Sequence, residues 1–225
     1  MTMAERTFSA RLGCRYLLHV PEAVGPRTVL VAALHGFGQN AEDMLRLTGH
    51  MVGPPHAVAA IEGPYGFFLG KGTDQVGYGW ITSRRAAESI RLHHEMVRHV
   101  LEEAGSELAI PAERRVLLGF SQAVSLNYRF AEAHPDDVRG VVGLCGGLPG
   151  DWDDERPGRI RPAVLHIARS EDEFYPPERT EQYARRLRLR CDEAEFHLLE
   201  GGHRFPSRGG PVWENWLNRI TEPRP

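Results

Sequence analysis

The chain has 225 residues, 41% of them hydrophobic and 25% charged, which suits a single compact domain with a sheet covered on both faces. A formal charge of −3 offers no basic field to gather phosphates, so nucleic acid is not an expected partner. No apolar run is long enough to span a bilayer, which also excludes stable membrane insertion from the expectation.

Between Met1 and Val20 the charged residues Glu5, Arg6, Arg11 and Arg15 interrupt any apolar core of signal-peptide length. Cys14, Cys145 and Cys191 are odd in number and lack a CxxC spacing, so they read as free thiols in a reducing compartment. A cytoplasmic location is the resulting default. Arg15–Val20 and Val29–Leu34 read as two strands, parted by the turn residues Pro21, Gly25 and Pro26. A helical segment around Ala41–Leu47 and a strand at Ala57–Ile61 follow. Gly63–Gly79, rich in glycine and aromatics, reads as an ordered loop. Arg84–Ala104 carries Ala86, Ile90, Val97, Leu101 and Ala104 near a 3.6-residue period and predicts a helix.

Arg115–Gly119 reads as a short buried strand, and Gln122–Ala133 as a helix stopped by His134-Pro135. Val138–Cys145 and Ala163–Ala168 are two more apolar strands. Glu178–Leu189 is expected to be helical, Ala194–Leu199 a last strand, and Pro211–Ile220 a closing helix with a stripe of Trp213, Trp216, Leu217 and Ile220. The ends, near 1–10 and 221–225, are expected to fray. Two-sided strands alternating with helices predict an α/β fold, a three-layer sandwich around a mostly parallel sheet. In such sheets, sites form at the carboxyl ends of the strands.

The segment Val116-Leu117-Leu118-Gly119-Phe120-Ser121-Gln122-Ala123 runs from a strand through a serine straight into a helix. That is the setting of a nucleophile elbow, a sharp turn that pushes the serine hydroxyl out at the end of the sheet. Free backbone N–H groups at the start of the helix at Gln122 would face a developing oxyanion. The alternative is a serine that only caps a helix. Ala123 occupies the second glycine position of G-x-S-x-G, and a methyl group is the smallest intrusion there.

A serine nucleophile needs a base, and the base needs an acid to orient it, in the chain order Ser, Asp or Glu, His. His166 and His197 fall within predicted strands, where packing is the simpler role. His203 stands in Gly201-Gly202-His203 just past the last strand, and is the expected base. Asp172, directly after the Ala163–Ala168 strand, is the expected acid. Glu171, Glu173 and the cluster Asp151, Asp153 and Asp154 are its rivals. Upstream, the glycines of His35-Gly36-Phe37-Gly38 would let a backbone N–H point into the site, although an ordinary glycine turn reads the same way.

Together these segments resemble the phospholipase/carboxylesterase family of small α/β-hydrolases, which includes bacterial carboxylesterases and acyl-protein thioesterases. The likeness extends from about Cys14 to Leu217. It rests on the HGFG loop, the Gly119-Phe120-Ser121-Gln122 elbow, the aspartate four residues before Pro176, and Gly202-His203. It implies an α/β-hydrolase fold, with Ser121 as nucleophile, His203 as base and Asp172 as acid. The N–H groups of Phe37 and Gln122 would be the oxyanion donors. The implied substrate is a small-molecule ester or thioester, with no metal or cofactor. The chain departs from the family pattern at Ala123, and His166 to Ser170 replaces the HG pair that commonly precedes the acid.

Phe67, Phe68 and Trp80 are expected to line an apolar acyl pocket, with the plugging of a small core as the competing role. An exposed apolar patch would also permit a homodimer. Two other classes remain open: a hydrolase-fold protein that binds a ligand without turnover, and a serine lipase or peptidase. A zinc protease is not expected, because His94-Glu95 is followed by His99. At five residues' spacing those histidines diverge by about 140° around a helix.

Overall fold

The computed structural model describes residues 3–155, 158–206 and 210–222. After an extended segment without helix or strand come β1 (Tyr16–His19), β2 (Leu30–Leu34), α1 (Ala41–Val52) and β3 (Ala57–Ile61). A small pair of strands, β4 (Tyr65–Phe68) and β5 (Val76–Gly79), leads to the long helix α2 (Ala86–Glu107). The middle of the chain holds β6 (Arg115–Phe120), α3 (Gln122–Ala133) and β7 (Gly140–Leu144). It ends with β8 (Ala163–Arg169), α4 (Pro177–Thr180), α5 (Tyr183–Arg190), β9 (Ala194–Leu199) and α6 (Gly210–Thr221).

Seven strands form one sheet in the order β1-β3-β2-β6-β7-β8-β9. Every neighbouring pair is parallel except β1 with β3. Parallel strands need covered crossovers, and the burial pattern shows them. Leu30, Ala32 and Leu34 face one core with Val97 and Leu101 of α2, Phe130 of α3 and Leu187 of α5. Val31 and Ala33 face a second core, with Met44 of α1 and Trp213 and Trp216 of α6. The α/β/α sandwich is therefore built from strands whose successive residues feed opposite cores. Trp216 lies so close to β7 that a Cβ at Gly140 would fall 2.6 Å from its ring. Among the described residues, no helix is long and apolar enough to cross a membrane.

Three expectations change. Gly63–Gly79 is not a plain loop, because it carries the antiparallel β4–β5 hairpin. There Tyr65 faces Gly79, Tyr78 faces Gly66 and Phe67 faces Gly77. Glycine opposite these three rings clears space for them, and those same glycines hide the strand pattern from a periodicity reading. The helix expected over Glu178–Leu189 is two helices, broken at Glu181–Gln182, where Gln182 has turn-like dihedrals of φ −81° and ψ −8°. At the carboxyl end, α6 continues through Thr221. Of the ends expected to fray, 1–2 and 223–225 lie outside the described residues.

Burial of histidines links this packing to pH. His93 pairs through Nε2 with Asn127 Oδ1 at 3.1 Å, and the Tyr128 hydroxyl meets His166 Nδ1 at 2.7 Å. Burial lowers both histidines to about 3. Both are then neutral in the folded state, while the unfolded chain protonates them below about 6.5. Stability is fully present above that value and falls as the pH drops from about 6.5 towards 3, by up to ~1.4 kcal/mol per pH unit for each group. Urea unfolding at pH 7.5, 6 and 5 should show this decline before the carboxylates titrate. A flat profile across that range would count against the buried neutral pair.

Candidate active site

Strand β6 lies in the middle of the sheet, and its last residue, Phe120, hands the chain to Ser121. Ser121 adopts φ 53° and ψ −112°, a conformation that costs a non-glycine residue energy and persists only where surrounding contacts hold it. Its N–H donates to Leu144 O at 2.9 Å, and its carbonyl accepts from Val124 N–H at 3.2 Å. Two glycines make room for the turn. A Cβ at Gly119 would fall 2.6 Å from Asn127 Nδ2, and one at Gly146 would fall 2.6 Å from Ser121 O. Ala123 is fully buried in the core beneath α3, so its methyl group packs without blocking the elbow.

Asp172 follows β8 in a tight turn. Its Oδ1 accepts the N–H groups of Phe174 and Tyr175, each at 2.9 Å. Its Oδ2 is left for His203, which meets it through Nδ1 at 2.8 Å. His203 Nε2 in turn lies 2.9 Å from Ser121 Oγ. With Nδ1–H donating a hydrogen bond to the carboxylate, Nε2 is the acceptor for the serine hydroxyl. Asp172 has no exposed side-chain surface and His203 only 13%, so water competes little with either bond. The structure thus joins Ser121, His203 and Asp172, far apart in sequence, into one hydrogen-bonded chain.

The imidazole is held from several sides. The loop after β9 is pinned by Glu171 N–H to Gly201 O at 2.9 Å, and Gly201 takes φ +118°, which favours glycine. Phe120, Phe174 and Tyr175 surround the His203 ring at centroid distances of 5.1, 4.9 and 5.9 Å. Phe174 and Tyr175 escaped sequence reasoning because only the spacing of Asp172 to Pro176 was informative.

The rival carboxylates have other partners. Glu173 reaches only the backbone N–H of His203, at 3.4 Å. Asp151 is paired with Arg129, and Asp154 with Arg186 at 3.0 Å. Glu171 is exposed. His166 is buried in β8, and His197 contacts Glu195 at 3.2 Å. Cys145 sits nearby at the end of β7, but burial, followed by the Asp172 charge, pushes its thiol up to about 11. A protonated thiol is a poor nucleophile.

Upstream, the His35–Gly38 turn sits between β2 and α1. Gly36 N–H donates to Gln39 Oε1 at 2.8 Å and Gly38 N–H to Tyr78 O at 2.9 Å. The hairpin therefore braces this turn, with Phe37 between the two fixed glycines. Asn40 then caps α1, its Oδ1 accepting Asp43 N–H at 2.8 Å. His35 is fully buried and plays a bonding role: Nδ1 meets Gly36 O at 2.7 Å and Nε2 accepts Gly63 N–H at 2.9 Å. Burial lowers its pKa, which keeps it neutral. Gln122 opens α3, where first-turn N–H groups have no acceptor within the helix. Its side-chain oxygen accepts Trp80 N–H at 2.7 Å, tying the elbow to the end of the hairpin.

The three residues expected to line a pocket part company. Trp80 is fully buried, with its indole N–H on His35 O at 2.9 Å; it plugs the core beneath the turn and presents no surface to a substrate. Phe68 is 68% exposed, because strand alternation turns it away from the face that Phe67 occupies. Phe67 stacks on Phe37 at 4.6 Å, beside the turn.

No protein-family model and no curated protein matches the chain. Solved structures do. Esterase PE8 superposes with a TM-score of 0.70 at 22% identity, covering 94% of this chain and 100% of its own. A carboxylesterase from Mesorhizobium loti gives 0.69 at 20%, covering 96% and 99%. The Bacillus cereus carboxylesterase gives 0.67 at 16%, covering 92% and 94%. At these identities the likeness is one of architecture: the chain has the α/β-hydrolase fold, built over nearly its whole length as it is in these carboxylesterases.

Proposed function

We propose that the protein is a serine hydrolase that cleaves carboxylic ester or thioester bonds through an acyl-enzyme on Ser121. The observation that carries this reading is the Asp172–His203–Ser121 hydrogen-bond chain, with links of 2.8 and 2.9 Å, set on a strained elbow. His203 takes the Ser121 proton as Oγ attacks the carbonyl carbon, and Asp172 holds the imidazole in the required tautomer. The N–H groups of Phe37 and Gln122 are assigned to the oxyanion, one from the braced turn and one from the start of α3. His203 then protonates the leaving alcohol or thiol. Water, activated by the same histidine, releases the acid and restores Ser121. The stacked Phe37 and Phe67 rings offer an apolar wall to the acyl or alcohol group.

A fluorophosphonate probe tests the chemistry directly, since it captures only an activated serine. It should modify folded protein once, at Ser121, and leave heat-denatured protein unlabelled. A chain-length series of p-nitrophenyl acyl esters, run beside acyl-thioesters, would then define the substrate. Folded protein that neither labels nor hydrolyses any member would point instead to a ligand-binding role.

A further inference from the structure

Trp80 does more than fill space beneath the His35–Gly38 turn. Its indole N–H donates to His35 O at 2.9 Å, and its main-chain N–H donates to Gln122 Oε1 at 2.7 Å. One buried residue therefore grips both elements assigned to the oxyanion, the turn before α1 and the first residue of α3. A Cβ at Gly79 would fall 3.3 Å from the Phe37 ring and 3.5 Å from Gln122 Oε1, so the chain entering Trp80 touches both donor residues. The turn is fixed peptide by peptide. Gly36 N–H is bonded to Gln39 Oε1, Gly38 N–H to Tyr78 O, and Gln39 N–H to Gly36 O at 3.2 Å. Of these four successive N–H groups, only that of Phe37 finds no acceptor among the described residues. Gly63 N–H can only donate, so His35 Nε2 accepts it and Nδ1 carries the proton that binds Gly36 O at 2.7 Å. In a trans peptide the carbonyl and the N–H point opposite ways, so anchoring Gly36 O also sets the direction of Phe37 N–H.

Resting on the serine-hydrolase reading, we propose that Trp80 is a positioning residue that sets the spacing between the two oxyanion donors, Phe37 N–H and Gln122 N–H. Without the indole N–H, His35 O loses this anchor and the turn can shift against α3. The Asp172–His203–Ser121 chain shares no bond with Trp80 and stays in place. The substrate oxygen gains its charge only when Ser121 or water attacks, so misplaced donors slow the chemistry more than they weaken substrate binding. Acylation and deacylation both pass through such an oxygen, and both should slow.

The test replaces Trp80 with benzothienylalanine, which keeps the bicyclic shape and lacks the indole N–H. Sites are counted by fluorophosphonate labelling carried to completion, and rates are expressed per labelled site. Misfolding then lowers the count without imitating a slower reaction. Per site, kcat/KM for p-nitrophenyl acetate should fall about tenfold or more, against the roughly 10²–10³-fold cost of losing a whole donor. The inhibition constant of a trifluoromethyl ketone, whose hemiketal oxygen takes the oxyanion position, should rise by a similar factor. The midpoint of the pH profile, which belongs to His203, should not move. Trp80→Phe, which also shrinks the ring, should lose at least as much. Parent-like kcat/KM in the benzothienylalanine protein overturns the proposal. A fall in kcat/KM that spares the ketone constant, or that shifts the pH midpoint, overturns it too, because the effect then lies outside the oxyanion donors. Parent protein that takes no label would refute the serine-hydrolase reading itself.

Discussion

Ser121→Ala is expected to lower turnover of p-nitrophenyl acetate by on the order of 10⁶-fold, the loss seen when comparable triads lose their serine. At about 1.4 kcal/mol per factor of ten, this amounts to roughly 8 kcal/mol of lost transition-state stabilisation. The geometry explains why no neighbour should compensate. Cys145, the buried thiol closest in role, is held protonated near 11 and hydrogen-bonds Arg204 O through a 3.5 Å contact. The fold should hardly notice the change. Ser121 is anchored by its backbone, through Leu144 O and Val124 N–H, and alanine keeps both bonds. A thermal midpoint near that of the parent, together with lost hydrolysis, would separate chemistry from stability. Parent-like turnover in the variant would remove Ser121 from the mechanism.

The sequence revealed the layers of the fold because its central strands carry short, wholly apolar runs. Leu30–Leu34, Ala57–Ile61 and Val116–Phe120 each sit between turn signals or charged residues and must be covered on both faces. Helix α3 was legible to the residue, since Ser121 opens it and His134-Pro135 closes it. The hairpin was not. Gly66, Gly77 and Gly79 make sense only across the strand pair, where each faces an aromatic ring, a relation that local periodicity does not contain. At the site, chain order and loop position singled out Ser121, Asp172 and His203, and the structure brings these three together. Trp80 misled because an aromatic residue in a glycine-rich segment looks the same whether it faces a ligand or a buried backbone carbonyl. Tyr175 went unnoticed for a similar reason: its ring packs on His203, a residue distant in sequence.

Asp172→Asn should cost about 10⁴-fold in turnover, the scale associated with the wrong histidine tautomer in such triads. Here the local bonds determine how the amide must sit. Oδ1 already accepts the N–H groups of Phe174 and Tyr175, so in the variant that position has to remain oxygen. The amide nitrogen is then forced towards His203 Nδ1, where two donors would face each other unless the imidazole moves its proton to Nε2. An imidazole protonated at Nε2 cannot accept the Ser121 proton, although every heavy atom stays in place. Glu173→Gln makes the matched control. Its carboxylate is exposed and reaches only the His203 backbone N–H, a bond that the amide oxygen of glutamine can also accept. Turnover of that variant should stay within about tenfold of the parent, since a single exposed hydrogen bond contributes about 1 kcal/mol. Measured side by side with one ester and one burst titration, the two variants should differ by about three orders of magnitude. If the ranking inverted, the orienting role would pass to Glu173 and the Asp172–His203 contact would be left as packing.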